Sequence, residues 1–244
     1  MTGRPVDPAA APEWLRGIAH TLPADPNRVN PILNRRSPKG AVVRPASVLV
    51  LFGGSVDADP VAIGGLPADA DVLLTQRAST MRQHSGQVAF PGGAADPGDD
   101  GPVDTALREA EEETGLLRTG VQPLATLPEI FIPPSGFDVT PVLAYWRDPS
   151  PVGVVDLAEA ERVVRVPVRD LIDPGNRFQV RHRAGYQGPA FEVDGMLVWG
   201  FTAGVLAGLF AVSGWELEWD HHDVRDLDVT LTRVATGVGE EGER

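Results

Sequence analysis

Arg108, Glu109, Glu112 and Glu113 fall within six consecutive residues and are followed by Gly115. On a helix, positions i, i+3 and i+4 fall within about one third of the circumference, so the three glutamates would share one face. Like charges held that close repel one another unless a cation neutralises them. Carboxylate oxygens are hard ligands, which makes a hard divalent ion, Mg2+ or Mn2+, the natural partner. A solvated charged face would produce the same string, so the decision passes to the segments that position it.

Those segments read as one strand–loop–helix unit. The spacing predicts a helix from about Val103 to Thr114, ended by Gly115 as a left-handed cap, with Val103, Leu107 and Ala110 on another face to pack on a sheet. Asp96 to Pro102 is a loop rich in turn formers. GQVAF, residues 86–90, reads as a short strand running into a Pro91-Gly92-Gly93 turn. DVLLTQRA, residues 71–78, reads as a strand, and AVVRPASVLVLF, residues 41–52, as its partner.

Residues 108–116, REAEEETGL, are similar to the core of a Nudix box, G-x5-E-x7-R-E-U-x-E-E-x-G-U, where U is a bulky aliphatic residue. Three departures occur. Asp99 stands where the family usually has Glu, eight residues separate it from Arg108 instead of seven, and Ala110 holds a U position. Upstream, LLTQRASTMRQHSGQVAFPGG (residues 73–93) resembles without a mismatch the signature L-L-T-x-R-[SA]-x3-R-x3-G-x3-F-P-G-G of the coenzyme A diphosphatase branch. The resemblance implies an α/β/α Nudix sandwich around a mixed sheet. It also implies metal-dependent hydrolysis of the diphosphate of coenzyme A or its derivatives, giving 3′,5′-ADP and (acyl-)4′-phosphopantetheine. Two other readings remain open: a Nudix pyrophosphatase acting on a nucleoside diphosphate sugar, dinucleotide or oxidised nucleotide, and a non-catalytic nucleotide sensor. The intact glutamate set argues against the sensor.

By the same resemblance Glu109, Glu112 and Glu113 ligate the metal, and Arg108 orients a neighbouring carboxylate through a charge-assisted fork. Gly92 and Gly93 let backbone approach phosphate where a Cβ would intrude. Arg77 and Arg82 lie in the branch signature and suit bidentate phosphate binding, with a structural ion pair as the alternative. His84 is a weaker candidate, and Phe90 reads as core. A further acid that serves as ligand or base is matched loosely by Glu159 in EAERVVRVPV, with Glu161 as alternative. Ser135, Gly136 and Phe137 match a branch segment lying near the substrate.

Composition narrows the classes. The chain has 244 residues, 42% hydrophobic, enough for one well-cored domain. The organisation expected is a flexible stretch 1–12, a single domain 13–235 and a flexible tail 236–244. The absence of cysteine excludes a disulfide framework, a zinc-thiolate site and a thiol nucleophile, and fits a reducing, cytoplasmic compartment. Neither a G-x-S-x-G elbow nor a Walker-type phosphate loop is present. A net charge of −13 argues against nucleic acid as a partner. The charges are segregated. Residues 26–56 hold Arg28, Arg35, Arg36, Lys39 and Arg44 without an acid, whereas residues 96–113 hold eight acids and one arginine. This layout suits a polyphosphate bridged to a metal. The start of the chain lacks the pattern of a secretory signal. The apolar run 196–212 is 17 residues long, short of the roughly 20 that span a bilayer. It is therefore expected as a buried helix near 199–211, with Gly200, Gly204 and Gly208 permitting close approach, and not as a membrane contact. The remaining expectations are a short helix at 13–20, strands near 121–127, 138–146 and 162–168, a hairpin region at 181–183 and 191–193, and an added edge strand from Asp228 to Val234. His221 and His222 read as incidental. A homodimer stays open.

Overall fold

Strand β1 (Arg44–Gly53) is apolar at consecutive positions because both of its faces are covered. Leu49 and Leu51 enter one core, and Val50 and Phe52 enter another on the opposite side. In the computed structural model, which describes residues 5–21, 35–78, 86–133, 135–183 and 185–237, this strand is the axis of an eight-stranded mixed sheet. It runs parallel to β7 (Phe137–Trp146), from Arg44 opposite Phe137 to Phe52 opposite Tyr145. It meets β2 (Asp71–Arg77) antiparallel only at Phe52 and Gly53. Beyond that point β4 (Gly92–Ala94) takes the edge of β1, with Gly93 opposite Ser47. The expected pairing of β1 with β2 is therefore confined to one end. Gly92 accounts for the intrusion, because a Cβ there would lie 2.3 Å from the Ser47 carbonyl oxygen.

Freed from β1, β2 pairs antiparallel with β3 (Val88–Ala89) and β8 (Ala160–Pro167). On the far side β7 carries β5 (Val121–Thr126) and β6 (Ile130–Ile132). Helix α2 (Pro102–Thr114) lays Ala106, Leu107 and Ala110 on Leu49, Leu51, Leu73, Val142 and Trp146. The opposite face is covered by Trp14, Leu15 and Ile18 of α1 (Glu13–Thr21), by the short α3 (Val168–Ile172), and by Val205, Leu206, Leu209 and Phe210 of α4 (Gly200–Ser213). The result is the α/β/α sandwich with a mixed sheet that the resemblance implied. Among the described residues no helix is long and apolar enough to cross a membrane. Gly204 and Gly208 are buried in α4, where it packs beside α1. Ahead of α1, Ala11 is buried and the Asp7 N–H donates to the Pro123 carbonyl at 3.0 Å, so this part of the stretch expected to be flexible is docked on β5.

A second, four-stranded sheet has the order β11 (Met196–Val198), β10 (Gln187–Val193), β9 (Arg177–Arg181), β12 (Val224–Asp226). Asp194 and Gly195, both at positive φ, make the tight turn between β10 and β11. Phe191, Val193, Met196 and Val198 join the core of α4, whereas Phe178, Val180, Ala190 and Leu197 form a small separate core. That small core corrects one expectation. Residues 228–234 are not an edge strand but lie inside α5 (Leu227–Thr236). Asp226 caps the helix by accepting from the Asp228 and Val229 N–H groups, and Gly237 closes it in the left-handed region. The apparent alternation hid a helical stripe, in which Leu227, Leu231 and Val234 face the small core.

Candidate active site

Burial of one face of α2 dictates what the other face presents. With Ala106, Leu107 and Ala110 turned to the sheet, Arg108, Glu109, Glu112 and Glu113 turn toward β4 and the loop before the helix. Gly115, at φ 72°, ends the helix as expected, its N–H donating to the Glu111 carbonyl.

Arg108 organises this face. Its Nε and Nη2 donate to the two oxygens of Asp99 at 2.8 and 2.9 Å, its Nη1 to Glu109 at 2.9 Å and Glu112 at 3.0 Å, and its Nη2 also to the Ala94 carbonyl at 3.0 Å. Asp99 is thus the functional residue whose role the sequence left unassigned. The box mismatch is the carboxylate that receives the guanidinium fork, and the Thr105 hydroxyl and Asp96 N–H also donate to it. These bonds hold its carboxyl well below the usual carboxylate range, Arg108 being the largest cause. Arg108→Lys keeps the charge and loses the fork. It is expected to lower stability by about 1–2 kcal/mol and activity at least about tenfold, read from urea unfolding and steady-state kinetics.

Glu113 is the least solvated of the three glutamates. Burial pushes its carboxyl up to about 7, opposed by the Gly92 N–H, which donates to it at 3.1 Å. Glu109 and Glu159 push in the same direction as burial, and Arg77 opposes them, so these four side chains share one electrostatic neighbourhood. Burial raises Glu109 as well, against the pull of Arg108. Glu112 is exposed. Among the described residues no three acids or histidines converge as a preformed metal cage, since Arg108 draws Glu109 and Glu112 while Gly92 holds Glu113. The donor chemistry still fits a hard divalent cation. All donors are carboxylate oxygens, and two of them carry a charge that burial disfavours and a cation would relieve.

The glycines are required by contact. A Cβ on Gly93 would lie 2.4 Å from Glu109 Oε2, so only glycine lets this carboxylate close on β4. Arg77 ends β2, and its buried Nε lacks a hydrogen-bond partner among the described residues. Glu159 immediately precedes β8, its carbonyl accepting from the Ala78 N–H at 3.0 Å, which sets it beside Arg77. Glu161 lies two residues further along β8 and is exposed. Ser135 and Gly136 form the turn into β7, where the Ser135 hydroxyl and the Gly136 N–H donate to the Ile132 carbonyl. Phe137, the first residue of β7, lies under the Arg44 guanidinium, 4.4 Å from its ring centroid. This turn sits at the end of β1 that carries β4. Phe90 is core, 2% exposed. Arg82 and His84 lie outside the described residues.

A clamped arginine, clustered acids on one helix face and a glycine pair on the facing strand together form the candidate site. The family model for the NUDIX domain matches residues 58–184, slightly more than half of the chain, and the protein belongs to that family. Hydrolases of this family generally use divalent metal ions. Two relatives are each described as an uncharacterized Nudix hydrolase, NudL. The one from Cronobacter sakazakii is 39% identical over 148 residues, covering 57% of this chain and 72% of the relative. The one from Yersinia enterocolitica is 35% identical over 148 residues, covering 57% of this chain and 71% of the relative. A solved Nudix hydrolase from M. smegmatis, RenU, is 21% identical and covers 77% of this chain and 98% of that chain at a TM-score of 0.48.

Proposed function

We propose that the protein hydrolyses the diphosphate of coenzyme A or its derivatives, giving 3′,5′-ADP and (acyl-)4′-phosphopantetheine, with Mg2+ or Mn2+ held by Glu109, Glu112 and Glu113. One observation carries the reading. The run Leu73 to Gly93, which resembles the coenzyme A diphosphatase signature, ends on the two glycines that meet Glu109 and Glu113, and its Arg77 favours the charged form of Glu113. Substrate motif and acid cluster are thus continuous in space as well as in sequence.

A divalent ion at these carboxylates would offset the diphosphate charge and lower the pKa of the attacking water. The chain's own groups do the rest. Arg77 supplies guanidinium donors for a phosphate oxygen. Glycine at 92 and 93 lets β4 close on β1 and on Glu109, which holds the acids at the site. Arg108, fixed by Asp99, keeps Glu109 and Glu112 in position. Glu159, the further acid offered by the resemblance, would take the proton of the attacking water. Water adds to one phosphorus, the bridging phosphoanhydride bond breaks, and the other phosphate leaves with the bridging oxygen.

The test is mass spectrometry of products after incubation with coenzyme A and Mn2+, with Glu112→Gln as control. Formation of 3′,5′-ADP and phosphopantetheine by the parent protein alone is the expected result. Intact coenzyme A alongside cleavage of another nucleoside diphosphate derivative would discard this substrate and leave the hydrolase class standing.

A further inference from the structure

The molecule carries a cavity of about 470 Å3 whose lining includes none of the residues of the hydrolase site. It lies between α4, strands β9 and β10, and the segment 215–221, and its walls include Arg35, Arg177, Tyr186, Glu216, Trp219 and His221. We propose that it is a second ligand site, which binds a small molecule bearing a single phosphate or carboxylate headgroup on Arg177.

Arg177 motivates the proposal. Its side chain is 1% exposed. Nη2 donates to Glu216 Oε1 at 2.9 Å, whereas Nε and Nη1 are buried and have no acceptor among the described residues. Tyr186, on the same cavity, is also buried, and the Gly200 N–H reaches its hydroxyl oxygen. Buried polar groups are as a rule paired, and a buried cation with unmade bonds is costly. Two of the buried side-chain atoms without a partner among the described residues thus belong to Arg177, which lines this cavity. An oxyanion supplies several acceptors at once, and charge-assisted bonds to a guanidinium are the strong ones.

The other walls narrow the ligand. The guanidinium lies 4.6 Å from the Trp219 ring centroid and 5.2 Å from that of Phe191. Trp219 in turn stacks on His221 at 3.9 Å, and its Nε1 donates to Glu216 at 3.3 Å. Ala207 and Ala211 add apolar wall. A ligand with a flat or apolar body behind its headgroup suits this lining, and the volume is that of a small-molecule site. Glu216 places a negative charge on the same wall, which disfavours a polyanion and restricts the headgroup to one phosphate or one carboxylate.

The Trp219 indole N–H, assigned through Trp219→Phe, is a local reporter in nitrogen-15 NMR. The probes are inorganic phosphate and benzoate, titrated at constant ionic strength against chloride. A saturable shift of that signal is expected with one or both, and the preferred probe distinguishes a phosphate from a carboxylate site. Glu216→Gln removes a competing negative charge and is expected to tighten binding about fivefold or more. Arg177→Met is expected to abolish it. Absence of a saturable shift in both the parent and Glu216→Gln overturns the proposal, as does unchanged affinity in folded Arg177→Met. If Arg177→Met does not fold, Glu216→Gln decides, because an anion held by Arg177 must bind more tightly once that carboxylate is neutral.

Discussion

Glu113→Gln is expected to lower kcat by about three orders of magnitude or more, a loss of about 4 kcal/mol of transition-state stabilisation, without lowering the melting temperature. The two halves of this result have different causes. Glutamine has the shape of glutamate and can still accept the Gly92 N–H, so the contact between α2 and β4 survives. The substitution also removes a carboxylate that burial already disfavours, beside Glu109 and Glu159, so the fold loses an electrostatic cost. What disappears, on the proposed function, is a hard anionic donor for the cation that would offset the diphosphate charge. Steady-state kinetics on a cleaved diphosphate, with thermal melting alongside, would read both halves. Activity within tenfold of the parent would move the charge-bearing centre away from this helix face. A lowered melting temperature would instead make Glu113 a structural anchor.

The two neighbouring glycines should separate fold from chemistry. At Gly92 an added Cβ meets the Ser47 carbonyl oxygen at 2.3 Å and Val48 Cα at 2.6 Å, both of them backbone atoms of the central strand. Gly92→Ala must therefore push β4 off β1 and is expected to cost about 3 kcal/mol or more of stability. At Gly93 the three atoms nearest the added Cβ all belong to the carboxyl end of Glu109, the first at 2.4 Å. A side chain can swing away, so Gly93→Ala is expected to fold with a loss below about 1 kcal/mol. Its activity should fall about a hundredfold or more, because Glu109 no longer closes on β4. Denaturant unfolding and kcat/KM measured on the same preparations would distinguish the two. Equal stability of both variants would contradict the steric reading, and full activity in Gly93→Ala would show that the close approach of Glu109 is dispensable.

The helix carrying the acids was legible in the sequence because its signals are local. Turn formers precede it, an apolar stripe runs along it, and Gly115 ends it, all within about twenty residues. The apolar run at 196–212 could be read as a buried helix from its length alone, and α4 spans Gly200–Ser213. The strand expected at 228–234 failed because a short alternating string fits period two and period 3.6 nearly equally well. Asp226 and Gly237, the residues that decide for α5, stand just outside that string. Among the site residues, Asp99 looked like a flaw in the motif, since the sequence shows only a shorter acid one step out of register. Its partnership with Arg108 depends on how the loop of residues 96–101 folds back over the helix.

Residue identity and spacing along the chain were enough to establish the Nudix family and the shared helix face of Glu109, Glu112 and Glu113, because i, i+3 and i+4 geometry is local. Only the tertiary structure decided that β4, and not β2, lies against this end of β1. It also brought the backbone of Glu159 against Ala78, next to Arg77, and formed the Arg177 cavity from α4, β9, β10 and the segment 215–221. Those relations join residues tens of positions apart. They are set by which apolar faces can be buried together and by where a Cβ is missing, and neither is a property of any single stretch of sequence.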